Sequence, residues 1–233
     1  MAVGRRIYLK RNLPEKEILE KLQTVPASNV ADCMERICAM NPRIKLISKP
    51  KNERVAAPAY TVKVRGGDNL ALHAALTYCT EGDMLVVSNE EETNRALIGE
   101  VMMTFLKYDK KVAGIVIDGP IRDIGELSQW DFPIYCTGST PGGPFKNGPG
   151  EVNVPISCGG ISVNPGDIIL ADADGVIVIP RNDANEIYEA AKAYMEKDQA
   201  KVIAAKEGRA NRQWVLRELE EKNFEIIDDI YRG

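Results

Sequence analysis

The sequence holds a single histidine, His73, among 233 residues. That scarcity removes most nucleophile–histidine chemistry, because a serine or cysteine nucleophile needs an adjacent base. It also removes metal sites built from several imidazoles. The five cysteines, Cys33, Cys38, Cys79, Cys136 and Cys158, form no Cys-x-x-Cys pair, and an odd number cannot all pair within one chain. They sit mostly in apolar segments and read as reduced core thiols of a cytoplasmic protein. No apolar run is long enough to span a bilayer, so no membrane partner is expected. The stretch Met1 to Lys10 lacks the apolar core of a secretory leader, in line with that expectation. Neither Gly-x-Gly-x-x-Gly nor a Walker sequence occurs, so nucleotide binding has no support. Net charge is -4 with basic residues spread along the chain, so no nucleic-acid partner is expected. The small basic cluster Arg5, Arg6, Lys10 and Arg11 reads as a solvated face or a mobile terminus.

Hydrophobic residues make up 44% of the chain, enough for a packed core in one large domain. Apolar residues at helical spacing predict helices over Pro14–Leu22, from Ser28 or Asn29 up to Pro42, and over Asp68–Tyr78, Asn94–Leu106 and Ile121–Gln129. Short apolar runs predict strands at Arg54–Val64, Met84–Ser88, Val112–Ile117 and Pro133–Cys136. The alternation argues an α/β core with a mainly parallel sheet. A Gly- and Pro-rich loop, Gly138–Gly150, is too long for an ordinary connector and reads as mobile or functional. Four β-rich segments follow between Val152 and Ile179, with turns at Pro165-Gly166-Asp167 and Asp174-Gly175. The organisation is therefore an α/β domain over 1–180 and a helical C-terminal arm over 181–233. Tyr188, Ala191, Tyr194 and Met195 form an apolar stripe on that arm, which suggests packing on a neighbouring subunit.

Two constellations carry chemistry. In Ile117-Asp118-Gly119-Pro120-Ile121-Arg122-Asp123 a strand ends, turns and opens a helix. Ligands in α/β folds gather at the carboxyl ends of strands. Arg122 can fork a carboxylate or keto oxygen, and Asp123 can hold Mg²⁺ or Mn²⁺. A helix-start carboxylate beside a salt-bridging arginine would produce the same letters. In Ile98-Gly99-Glu100-Val101-Met102 the reading forks. If Asn94 caps the helix, Gly99 and Glu100 lie inside it and are unremarkable in role. If the helix begins at Gly99, the amides of Val101 and Met102 are free for a small anion, and Glu100 becomes a base or holds a water. Gly66-Gly67-Asp68-Asn69 reads as a tight turn with Asp68 as cap, and His73 behind it reads first as a structural residue.

Taken together, Gly67-Asp68-Asn69, Glu81-Gly82-Asp83, Gly99-Glu100, Gly114 through Asp123, Cys158-Gly159-Gly160, Pro165-Gly166-Asp167 and Ala171 through Val176 resemble the RraA-like/4-hydroxy-4-methyl-2-oxoglutarate aldolase family. The order matches from about Val25 to Pro180. The segment Lys107–Lys111 is about one residue longer than the family pattern. The resemblance implies a swivelling β/β/α-type fold, assembled as a homotrimer or dimer of trimers, with sites between adjacent subunits. It assigns Asp123 to a divalent metal and Arg122 to the substrate's keto oxygen. It places the pyruvyl carboxylate on the amides after Gly99, those of Val101 and Met102, and gives Glu100 the handling of a water. It lets Asp198, or less closely Glu196, reach a neighbour's site as a further metal-side carboxylate. The implied activity is class II cleavage of small 2-keto acids such as 4-hydroxy-4-methyl-2-oxoglutarate or 4-carboxy-4-hydroxy-2-oxoadipate to pyruvate, with oxaloacetate decarboxylation alongside. The rival reading, also drawn from the family, is a non-catalytic protein-binding regulator of ribonuclease activity.

Overall fold

The computed structural model describes residues 3–233. The chain divides into two compact units, Met1–Tyr194 and Met195–Gly233. In the first, α1 (Lys16–Leu22) and α2 (Ala27–Cys33) precede β1 (Lys45–Leu46) and the long β2 (Val55–Val64). Then come α3 (Leu70–Tyr78), β3 (Met84–Ser88) and α4 (Glu100–Thr104), which continues as a π-helical turn over Phe105–Lys110. β4 (Gly114–Asp118), β5 (Pro120–Ile121), α5 (Ile124–Leu127), β6 (Ile134–Cys136) and β7 (Gly138–Ser139) follow. The unit is completed by β8 (Gly150–Val152), β9 (Ile156–Cys158), β10 (Ile161–Val163), β11 (Ile168–Asp172) and β12 (Gly175–Ile179). The helix α6 (Ala184–Lys206) contains the boundary between units, and α7 (Gln213–Glu221) lies in the second.

The main sheet runs β1-β6-β4-β3-β2-β11-β12, with β8 also on β2. Within this sheet β2–β3, β3–β4 and β4–β6 pair in parallel, and the other four ladders are antiparallel. The sheet is thus mixed, and its parallel part is the centre alone. The expectation of a mainly parallel sheet came from counting helix–strand alternation, which does not see strands added by hairpins. Both faces of the centre are covered. Leu85 and Val87 of β3 with Ile115 and Ile117 of β4 pack in one core; Met84, Val86 and Val116 point into the other. Alternate residues therefore go to opposite cores, which is why these strands read as unbroken apolar runs. Each such side chain contributes about 1.5–3 kcal/mol on burial.

Several local expectations change. α2 starts at Ala27 and ends at Cys33, far short of Pro42. Its start is capped not by Ser28 or Asn29 but by Asp172, whose Oδ2 accepts the Ala27 N–H at 3.0 Å. Asp172 also holds the two-residue β11–β12 turn, accepting the Asp174 N–H at 3.0 Å. α5 is only four residues, Ile124–Leu127. The basic N-terminal cluster is a solvated face only in part: Arg5 and Lys10 are exposed, but the Arg11 side chain is buried, ion-paired with Asp83 and stacked 4.7 Å over the Tyr60 ring, and Arg6 pairs with Glu151. Burial pushes the Asp83 carboxyl up, and such a group is retained only beside a cation. The Glu81-Gly82-Asp83 and Pro165-Gly166-Asp167 turns share one chemistry. Asp83 accepts the Thr80 N–H and Asp167 the Asn164 N–H, both at 2.8 Å. The cysteines carry no disulfide. Burial pushes the Cys79 and Cys136 thiols up to about 11, so both stay protonated. No helix among the described residues is long and apolar enough to cross a membrane.

Candidate active site

The parallel strands β2, β3 and β4 end in register, with Lys63 beside Ser88 and Ser88 beside Asp118. The turns leaving that edge build the site, as strand ends do in open α/β sheets. Asp118 is spent on structure: Arg43 holds both its oxygens, at 3.0 and 2.8 Å, and the Gly159 N–H donates to it at 2.8 Å. Beyond it the chain lies against the segment before α4. The Leu97 N–H donates to the Pro120 carbonyl at 3.2 Å, and the Arg122 N–H to the Ile98 carbonyl at 3.0 Å.

These bonds resolve the fork at Gly99. The helix begins at Glu100, and Gly99 is extended, not helical. Asn94 cannot cap it, because Asn94–Ala96 is held elsewhere: the Ala96 N–H donates to Gly142 O at 2.8 Å. The first intrahelical bond runs from the Met103 N–H to Gly99 O, at 3.1 Å. The amides of Val101 and Met102 therefore precede the helical ladder and remain available to a ligand. The Glu100 N–H donates to Asp123 Oδ2 at 2.8 Å. Asp123 sits at φ 60°, a left-handed backbone that a non-glycine residue adopts at a cost of about 1–3 kcal/mol and that clusters at functional sites. Arg122 Nε stands 3.6 Å from Asp123 Oδ2, and both side chains are about half exposed. After α4 the chain continues as a π-helical turn over Phe105–Lys110, which takes in most of Lys107–Lys111.

A cavity of about 440 Å³ opens here, lined by Gly99, Val101, Met102 and Arg122 together with Asn69, His73 and Lys146. A second, of about 400 Å³, shares Arg122 and adds Asp123, Ile124 and Ser139–Pro141. The Gly138–Gly150 loop forms part of both walls. It is fastened by Asp68, which is fully buried and accepts the N–H groups of Leu70, Asn147 and Gly148 at 2.9, 2.7 and 2.9 Å. Burial alone would raise the Asp68 carboxyl, but these three N–H donors and Arg65 outweigh it and hold it below its ordinary range. Desolvation, then the nearby Lys146 charge, lowers His73 below its ordinary value and keeps it neutral.

The structure thus gathers Gly99, Val101, Met102 and Arg122 on one cavity, with Asp123 beside it. Glu100 gives its backbone to Asp123, while its exposed side chain lines neither cavity. Asp198 belongs to the second unit and pairs with Lys201 at 2.8 Å. Asn69, Lys146 and Arg95 escaped the sequence reading. Asn69 stood inside the Gly-Gly-Asp-Asn turn but looked like its tail, and nothing in a Gly/Pro-rich loop marks one lysine. No group of three or more His, Cys, Asp or Glu side chains converges among the described residues, so no zinc-type cage is present there. Asp123 Oδ1 accepts no hydrogen bond from the described residues, and the carboxylate borders open volume. That donor set fits Mg²⁺ or Mn²⁺, which take one or two carboxylates and keep several waters.

A mixed α/β domain with an arginine, a carboxylate and free helix-start amides at the edge of its parallel strands belongs to the class that handles small anions. Residues 27–178 match the family model RraA-like (Aldolase/RraA), and the chain belongs to that family. A protein of Halalkalibacterium halodurans provisionally named a 4-hydroxy-4-methyl-2-oxoglutarate aldolase is 36% identical over 187 residues, covering 80% of this chain and 88% of the relative. One of Bacillus cereus with the same provisional name is 34% identical over 128 residues, covering 55% and 79%. The solved structure of Streptomyces coelicolor RraAS2, described as an unusual member of the RNase ES inhibitor RraA protein family, superposes with a TM-score of 0.73 at 28% identity, covering 82% and 98%.

Proposed function

We propose that the chain is a divalent-metal-dependent carbon–carbon lyase that cleaves 4-hydroxy-2-keto acids to pyruvate, as its aldolase-named relatives suggest. One observation carries the reading. Gly99 brings the amides of Val101 and Met102, the Arg122 guanidinium and the Asp123 carboxylate to one place. The amides and the positive end of the helix hold the C1 carboxylate. Arg122 takes the keto oxygen and stabilises the negative charge that grows there as the C3–C4 bond breaks. Asp123 would hold Mg²⁺ or Mn²⁺, which would supply Lewis-acid stabilisation of the negative charge that grows on the keto oxygen. Glu100, whose side chain stands outside both cavities, acts with Arg122 through a positioned water that accepts the proton of the C4 hydroxyl, and protonation of the enolate carbon yields pyruvate. The same enolate chemistry decarboxylates oxaloacetate. Asp198 of an adjacent copy completes the site in a homotrimer or a dimer of trimers. The S. coelicolor relative keeps a second reading in view, a protein-binding inhibitor of a ribonuclease. Pyruvate release from 4-hydroxy-4-methyl-2-oxoglutarate, assayed with Mg²⁺ and with a chelator, decides between them. Metal-dependent release supports the aldolase; no release under either condition overturns it.

A further inference from the structure

The turn that leaves β3 touches both of the turns that build the site. Asn89 follows the last residue of the strand and is fully buried. Its Oδ1 accepts the Gly67 N–H at 2.9 Å, and its Nδ2 donates to the Glu92 carbonyl at 3.1 Å. An amide bonded at both ends has a fixed orientation, because its oxygen only accepts and its nitrogen only donates. The same amide lies against Gly119. A Cβ built on that glycine would stand 2.3 Å from Nδ2 and 3.1 Å from Cγ of Asn89.

The next two residues have an uncommon backbone. Glu90 and Glu91 sit at φ 52° and 60°, left-handed values that non-glycine residues keep only where their surroundings over-determine them. The surroundings here are the same two turns. Glu90 Oε2 accepts the Gly66 N–H at 3.3 Å. Glu91 pairs at 2.9 Å with Arg43, the residue that grips Asp118. Each turn carries a different part of the site. Gly66–Asn69 leads into α3 with His73 and, through Asp68, fastens the Gly138–Gly150 loop. Asp118–Asp123 carries Arg122 and Asp123. Asn69, His73 and Arg122 line one cavity, and Asn89 lines neither of the two.

We propose that Asn89 is a positioning residue: its amide spaces the Gly66–Asn69 wall from the turn that bears Arg122 and Asp123, and so sets the width of the site. The inference rests on reading the cavity as the reaction site. One side chain is bonded to the first turn and packed on the second, so a change in its size or bonding alters the gap between them. A buried amide held by two hydrogen bonds keeps one rotamer, which is what a fixed spacing needs. Gly119 is the matching half of the contact, because any side chain there would push the amide away.

The test is a double-variant cycle on the full chain. Gly119 is not left-handed, so alanine suits its backbone, and the nearest atoms its methyl meets all belong to Asn89. Gly119→Ala should lower kcat for pyruvate release from 4-hydroxy-4-methyl-2-oxoglutarate about tenfold and keep KM within about twofold, because the Val101 and Met102 amides are untouched. Asn89→Ala should lose about as much. The double variant should lose about tenfold rather than about a hundredfold, since the new methyl enters space the amide has left. Additive losses overturn the proposal. So does wild-type kcat in folded Gly119→Ala with only a lower melting temperature, the mark of a merely structural contact. Should Asn89→Ala not fold, Gly119→Ala alone decides, because it keeps the whole amide. Failure of the underlying reading looks different: wild type then releases no pyruvate. The spacing is in that case read without substrate, from the NMR ring resonances of His73, the sole imidazole. Resonances displaced by Gly119→Ala support the role of Asn89, and resonances identical to wild type overturn it.

Discussion

The Cβ that Gly99 lacks would stand 2.3 Å from Oδ2 of Asp123, and 2.8 Å from both Cγ and Nε of Arg122. The glycine is therefore a spatial requirement. Its φ of -139° is open to any residue, but the two side chains of the site lie across its face. Gly99→Ala should keep the fold, because both neighbours are half exposed and can swing away. Displacing them should lower kcat/KM for pyruvate release about 100-fold. Steady-state kinetics beside a thermal melt checks this: near-wild-type turnover would show that the Arg122–Asp123 arrangement is not the working one.

Asp123→Asn separates the carboxylate's charge from its place in the backbone. Asparagine tolerates the left-handed conformation at this position and keeps an acceptor for the Glu100 N–H. The melting temperature should stay within about 3 °C. Mg²⁺-dependent pyruvate formation should fall by about 100-fold or more. Arg122→Lys should be comparably impaired, because the ammonium retains charge but loses the planar fork. A Lys variant with most of its kcat would reduce Arg122 to a general electrostatic role.

How much of this was legible in the sequence depended on the range of the interaction. β3 and β4 were, because each lies between two cores and carries apolar residues throughout. Arg122 and Asp123 were, because a strand, a Gly-Pro turn and the two charges are contiguous. The start of α4 was not, because the letters fit both Asn94 and Gly99; the decision came from Gly142 and Pro120, distant in sequence. The cap of α2 comes from Asp172, 145 residues on, and no local pattern announces it. Asn69 and Lys146 line one cavity because Asp68 and the backbone of Phe145 fasten the loop onto the turn.

His73 offers a clean probe, being the sole imidazole in the chain. Desolvation and then Lys146 lower its pKa. Removing the charge with Lys146→Met should move it upward, toward the ordinary value, by NMR titration. An unchanged midpoint would mean that Lys146 does not face His73 in solution. The sign for stability follows from linkage. A lowered folded pKa means the unfolded chain binds the proton first as pH falls. His73 therefore contributes stability that is full above its ordinary value of 6.5 and is lost as pH drops from there through the lowered folded value. The variant should show a shallower loss of stability over that window.

Asp198 tests whether the site is shared between chains. It lies on α6 in the unit Met195–Gly233, outside the matched residues 27–178, so only resemblance ties it to the chemistry. If it reaches a neighbour's site, Asp123→Asn and Asp198→Ala chains should each be inactive alone. In a ring of copies, each site would take residue 123 from one chain and residue 198 from the next. After dissociation and equal mixing, a site is intact only when the first chain carries the 198 substitution and the second the 123 substitution. Random assembly makes that about one quarter of sites, so about one quarter of wild-type activity should return. Subunit exchange is verified by mass spectrometry of differently tagged chains. No recovery despite verified exchange would confine the site to one chain, and full activity of the Asp198→Ala protein by itself would remove Asp198 from the mechanism.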